Sequence, residues 1–156
     1  MPNSCLTTIG GGAFQRCNRL TSISFPPTLK IIEGYAFSCC VGLRCVEIPS
    51  SLEQIGDGAF AYLESKRVLF ASDSKLERIG RRAFRGSYLE TISIPASVER
   101  IGREAFAECI YLTSVVIPAD SKLEDVDPEV FRDCPNLRIM KSPIRKTKTK
   151  SSCSIS

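Results

Sequence analysis

The dipeptide Ala-Phe returns along this chain at a nearly fixed interval: Ala13-Phe14, Ala36-Phe37, Ala59-Phe60, Ala83-Phe84 and Ala105-Phe106, with Val130-Phe131 as a sixth, altered copy. Consecutive phenylalanines lie 23, 23, 24, 22 and 25 residues apart. A period of this length leaves few folds open. A unit so short cannot bury its own apolar edge, so neighbouring units must stack and share one core. Other columns keep the same step. Before each Phe stands an apolar residue, usually with Gly: Ile9-Gly10, Ile32, Ile55-Gly56, Ile79-Gly80, Ile101-Gly102 and Val126. After it come Leu, an apolar pair flanking one residue, and Pro, as in Leu43, Val46, Ile48 and Pro49, or Leu112, Val115, Ile117 and Pro118. Leu29, Leu52, Leu76, Val98 and Leu123 make a further column.

Each column translates into local structure. The alternating apolar pair reads as a short strand with one buried face, and the following Pro stops its ladder. The Ile-Gly word reads as a second short strand or turn. Ala-Phe with the three residues after it suits one helical turn. The third copy is the weakest, with Ser65 in place of the Leu and Ala71 in place of the Pro. Copies three and five lengthen one turn with matching words, Asp73-Ser74-Lys75-Leu76-Glu77 and Asp120-Ser121-Lys122-Leu123-Glu124. The expected fold is a solenoid of about six repeats over residues 1–143, followed by a disordered basic tail over residues 144–156.

The Ile-Gly-x-x-Ala-Phe words, the Cys three residues later, the Leu and the Ile-Pro step together resemble the BspA-like, or Treponema-pallidum-type, leucine-rich repeats. The resemblance covers roughly residues 6–143. It implies a leucine-rich-repeat solenoid, an α/β curved right-handed coil. Short parallel strands would line the concave face, with short strands and helical turns elsewhere. It also implies adhesion or protein binding, often at cell surfaces, though such repeats serve many partners.

The conspicuous residues mostly belong to the repeat. Cys17, Cys40, Cys109 and Cys134 each follow a repeat Phe by three positions, where Leu63 and Ser87 stand in the other copies. That column reads as a small inward slot holding reduced thiols. Cys39 and Cys45 fall outside it, with Cys45 on the outward side of a strand. The chain has no His and no Cys-x-x-Cys pair, which disfavours zinc and removes the usual general base. Glu53, Glu77, Glu99 and Glu124 repeat after the Leu/Val column and read as a solvated edge. Arg78 should stack with Arg100, and Arg81 with Arg103, either pairing with that ladder or holding an anion. Every Gly is tied to the repeat, so no phosphate loop is expected. Neither a catalytic residue nor a cofactor is expected.

Alternation places Ser22, Ser24, Cys45, Glu47, Arg67, Leu69, Thr91, Ser93, Ser114, Val116, Ile139 and Lys141 on the outward side of the strands. This candidate concave binding face is small and mixed, with no aromatic cluster to name a ligand. Its expected occupant is an unidentified protein partner. Nucleic acid is not expected, because the net charge of +4 sits in the tail: residues 141–156 carry five bases and no acid, leaving the body 16 bases against 17 acids. The chain ends Cys153-Ser154-Ile155-Ser156 after Arg145, Lys146, Lys148 and Lys150. This fits a prenyl acceptor at Cys153 beside basic residues that favour an anionic membrane surface. The residues at the start, Met1-Pro2-Asn3-Ser4-Cys5, show no secretory signal pattern, and no run approaches the ~18 apolar residues of a membrane span. The reading is a scaffold held at the cytoplasmic side of a membrane; its alternative is a BspA-like cell-surface adhesin or surface antigen.

Overall fold

The computed structural model describes residues 5–123 and 126–141. Ten strands follow one another along these residues: β1 (Thr8–Ile9), β2 (Ile31–Ile32), β3 (Cys45–Ile48), β4 (Gln54–Ile55), β5 (Arg67–Phe70), β6 (Arg78–Ile79), β7 (Thr91–Ser93), β8 (Arg100–Ile101), β9 (Ser114–Val116) and β10 (Ile139–Lys141). All ladders are parallel, and each joins one repeat to the next. The Ile-Gly words build one continuous short-strand sheet, ordered β1-β2-β4-β6-β8. The apolar pairs build the opposite face from β3 paired with β5, and from β7, β9 and β10. The expected solenoid is therefore the fold, with the core between the two faces.

The alternation works as expected. Val46, Ile48, Val68, Ile92 and Val115 point inward and are buried, while Cys45, Glu47, Arg67, Leu69, Thr91 and Ser93 are exposed. The repeat phenylalanines form one stack through the core. Phe14, Phe37, Phe60, Phe84, Phe106 and Phe131 have successive ring centroids 5.1, 5.3, 5.4, 5.2 and 5.5 Å apart, with planes within 13° of parallel. The four inner rings are fully buried.

Two expectations are corrected. The segment carrying Ser22 and Ser24 is exposed but forms no strand. It belongs to the first coil, which has a neighbour on one side only among the described residues, and Phe25 turns edge-on to Phe37 instead. The Ala-Phe segments do not form helical turns. The only helical element among the described residues is a 3₁₀ turn, Pro128–Phe131, capped by the Asp127 carboxylate.

Elsewhere the residue before Ala and the residue two after Phe take left-handed backbone: Gly12 and Arg16, Tyr35 and Cys39, Gly58 and Tyr62, Arg82 and Gly86, Glu104 and Glu108. This conformation costs an L-residue about 1 kcal/mol. The compensation is visible in the hydrogen bonds. In the second coil the amides of Tyr35, Phe37 and Cys39 donate to the next coil, at Asp57, Ala59 and Ala61. The amides of Ala36, Ser38 and Cys40 between them donate three residues back. The same alternation runs through the third and fourth coils. Left-handed residues thus turn alternate N–H groups out of the local turn and into a ladder between coils, which a continuous helix could not supply.

The cysteine column has a polar purpose as well as a size limit. Cys40 Sγ donates to the Phe14 carbonyl at 3.0 Å, Cys109 Sγ to Phe84 at 3.2 Å and Cys134 Sγ to Phe106 at 3.0 Å. Ser87 Oγ donates to Phe60 at 2.9 Å. Cys and Ser interchange because each caps the carbonyl of the preceding coil's Phe. Cys40 and Cys109 are buried; Cys17 and Cys134, in the end coils, are only half-buried. Burial pushes the Cys40 thiol up, and the neighbouring Cys134 thiol together with burial does the same at Cys109.

A charge network crosses the last coils. Glu104, 5% exposed at its side chain, accepts from Arg82 Nε at 2.7 Å and lies 3.8, 3.8 and 3.9 Å from Arg85, Arg103 and Arg132. Arg85 also donates to Glu108 at 2.6 Å. The Arg82 hydrogen bond holds the Glu104 carboxyl below its ordinary value, and the Arg85 hydrogen bond does so for Glu108. Depressed carboxyls add stability above the ordinary carboxylate range and lose it as pH falls through their folded values. The melting temperature is therefore expected to fall below about pH 5, with a shallower fall in Glu104→Gln. Identical acid limbs for the two proteins would exclude this network as the acid-sensitive element.

Candidate functional site

The face built by β3, β5, β7, β9 and β10 carries the outward row expected from the sequence. Cys45 registers with Arg67 and Glu47 with Leu69 across β3 and β5, and on the other part of the face Thr91, Ser114 and Ile139 form one register line and Ser93, Val116 and Lys141 the next. Leu69 and Val116 are exposed large apolar residues at 41% and 40%, so the face is a mixed surface with an aliphatic element on either side of Ser93. Ser22 and Ser24 lie beyond the edge of this sheet, as described above.

One interruption marks the face. β5 and β7 are neighbours, yet no ladder joins them, whereas the short-strand sheet behind them is unbroken. The weak third repeat explains the break. Ser65 fills the slot that holds Leu43, Leu89 and Leu112 in other coils, and its hydroxyl bonds to the carbonyls of Arg44 and Arg67, both at 2.9 Å. A polar side chain tied to its own strand replaces a leucine that would pack toward the core. A cavity of ≈ 400 Å³ opens along the break, running from Arg67 and Thr91 to the turns at Ala71–Ser74, Pro95–Ser97 and Pro118–Asp120.

The opposite edge is less distinctive. Arg78 and Arg100 are ladder partners, as expected. The carboxylates of Glu53 and Glu99 pair instead with Lys30 at 3.0 Å and Lys122 at 3.5 Å. Arg103 reaches Glu129 at 3.7 Å. Sequence reasoning missed the exposed tyrosines Tyr88 and Tyr111, whose rings meet at 5.0 Å beside the start of β7 and β9. Their identical place before the Leu column was the available signal. Among the described residues no group of three or more His, Cys, Asp or Glu is placed to hold a metal, and no helix is long and apolar enough to cross a membrane. Cys153, Arg145, Lys146, Lys148 and Lys150 lie outside the described residues.

The BspA type leucine rich repeat region matches in six copies, over residues 1–73 and 69–154. A leucine rich cell surface protein from Faecalibacterium prausnitzii A2-165 is 36% identical, with a TM-score of 0.67, over 77% of this chain and 31% of its own. A leucine-rich repeat protein from Bacteroides ovatus ATCC 8483 is 35% identical, with a TM-score of 0.74, over 84% of this chain and 33% of its own. The chain thus spans about a third of the length of these relatives. No curated protein matches the sequence. Six copies of the family's repeat, stacked coil on coil as in these relatives, place the chain in the BspA type leucine-rich-repeat family.

Proposed function

We propose that this chain is a non-enzymatic protein-binding module that engages its partner through the strand face carrying Glu47, Arg67, Leu69, Thr91, Ser93, Ser114 and Val116. The observation that carries this reading is the exposed double row on that face, opened by a single break. Leucine-rich repeats generally bind other proteins, and their rigid stacked strands present side chains at fixed ~4.8 Å intervals. Replacing exposed residues on the two flanks of the face, Glu47→Arg and Val116→Asp, should reduce retention of the native partner more than ten-fold. Arg78→Glu on the short-strand face should leave retention unchanged. Loss confined to the Arg78 variant would reverse the assignment.

The setting we propose is the cell surface, supported by the description of the F. prausnitzii relative as a cell surface protein. A second reading is favoured by the basic residues Arg145, Lys146, Lys148 and Lys150 ahead of Cys153-Ser154-Ile155-Ser156. Where that tetrapeptide stands at the carboxyl terminus, Cys153 can accept a prenyl group. Basic side chains then add ~1 kcal/mol each at an anionic leaflet. The two settings exclude one another, since prenylation is cytosolic and an adhesin is exported. The mass of the peptide carrying Cys153, taken from native cells, separates them.

A further inference from the structure

At its turn end the break in the strand face meets turns of unequal length. Between the last inward strand residue and the next Leu/Val column, the second and fourth coils take four steps, Ile48 to Leu52 and Ile94 to Val98. The third and fifth take six, Phe70 to Leu76 and Ile117 to Leu123. The two longer turns are built alike. Ser74 Oγ accepts from the Leu76 amide and Ser121 Oγ from the Leu123 amide, at 3.3 and 3.2 Å. Lys75 N–H donates to the Ser50 carbonyl and Lys122 N–H to that of Ala96, both at 2.9 Å. Two tall, anchored turns therefore flank one short turn, and the ≈ 400 Å³ cavity is the notch between them.

The chemistry of the notch is uneven along its length. Its floor at the turn end is apolar, from Phe70, Pro95 and Ala96. Exposed Asp120 lies on the far wall, and no ion pair among the described residues engages it; neighbouring Lys122 is held by Glu99. Exposed Arg67 stands at the other end, also in no ion pair among the described residues. Arg67 stands ~13 Å along the strand direction from the turn end at Ala71, and Asp120 lies two coils, ~10 Å, across from that coil, so the diagonal of ~16 Å is spanned by about four extended residues with a long side chain at each end.

We infer that this notch seats a basic side chain from an extended segment of the partner protein, its aliphatic stem on Phe70, Pro95 and Ala96 and its cation at Asp120, while an acidic group about four residues away meets Arg67. The inference rests on the strand face being the protein-binding surface and names the chemistry selected there. Long basic side chains lay their methylenes on apolar surface while keeping the charge at a polar partner. A second cation at the Arg67 end would be repelled, so the site discriminates by charge order as well as by charge.

The test uses acetylated, amidated five-residue peptides titrated into the isotope-labelled full chain and followed by amide shifts. A peptide with glutamate at one end and lysine at the other, made in both directions, should shift Ser72, Ser74, Ala96 and Ser97. It should bind about five-fold tighter than its glutamine-for-lysine counterpart, a gap that closes at high salt or with Asp120→Asn. A peptide with lysine at both ends should bind more weakly than the mixed one. Equal affinity of the lysine and glutamine peptides, or shifts confined to the short-strand face, overturns the inference. With the native partner, loss of retention in Val116→Asp but not in Asp120→Asn removes the notch and leaves the protein-binding face standing. Full retention in both variants removes both readings.

Discussion

Phe60→Ala is expected to unfold the array as a whole, with a loss of about 3–5 kcal/mol. The Phe60 ring is fully buried and lies between Phe37 at 5.3 Å and Phe84 at 5.4 Å, with both neighbouring planes within 7° of its own. Removing it leaves a void bounded on two sides by rings that the ladders hold at a fixed coil spacing, so the site cannot collapse. Stacked pairs of this kind add ~0.5–1.5 kcal/mol beyond the area they bury, and Phe60 belongs to two of them. A folded domain of this size is stable by only ~5–15 kcal/mol. The position in the array matters as much as the cavity. Two repeat phenylalanines precede Phe60 and three follow it. A stack cut there leaves fragments at or below the roughly three repeats that a solenoid needs. Phe14→Ala, in the half-buried end coil, should cost much less. Thermal and urea melts of both variants check this ordering, and a Phe60→Ala melt overlaying the unsubstituted protein would sink it.

The solenoid and its phenylalanine stack were legible because they follow from period alone: residues 23 apart that are all apolar must face one core. The strand face was legible for the same reason, since inward and outward residues alternate along Cys45–Ile48 whatever the partner strand does. The turn after the Ile-Gly word was not legible. Tyr35, Arg82 and Glu104 have no side-chain preference for left-handed backbone, and local propensity favours a helical turn there. The conformation is enforced by N–H groups donated to the next coil, and those acceptors become visible only once the coils are stacked. Gly12, Gly58 and Gly86 at the same columns were the faint local signal. The Glu104 network was hidden likewise, because Arg82, Arg85 and Arg132 lie a whole coil away. The matched insertions in copies three and five were plain in the sequence. Their consequence needed the stacked geometry, in which two long turns flank a short one.

Gly80→Ala is expected to destabilise the protein by about 1–3 kcal/mol, while the same change at Gly10 is neutral or mildly stabilising. Both glycines close an Ile-Gly word, so sequence alone makes them equivalent. Neither has positive φ, so backbone conformation does not demand glycine at either place, and replacing it would ordinarily stabilise by ~0.4–1 kcal/mol through the unfolded chain. The difference lies in what a methyl group would meet. At Gly80 a Cβ would come within 2.5 Å of the Gly56 carbonyl carbon and 2.7 Å of both the Asp57 amide nitrogen and its Oδ1. These are backbone atoms of the preceding coil and a carboxylate already accepting from the Arg81 amide at 2.8 Å, so none can step aside without opening the ladder. At Gly10 there is no preceding coil among the described residues, and the nearest atom to a Cβ is 4.0 Å away. Gly56 and Gly102 meet the coil before them at 2.6 and 2.4 Å and should behave like Gly80. Opposite signs for Gly10→Ala and Gly80→Ala in urea melts would identify coil-to-coil approach as the reason for the Ile-Gly word. Equal effects at the two positions would refute it.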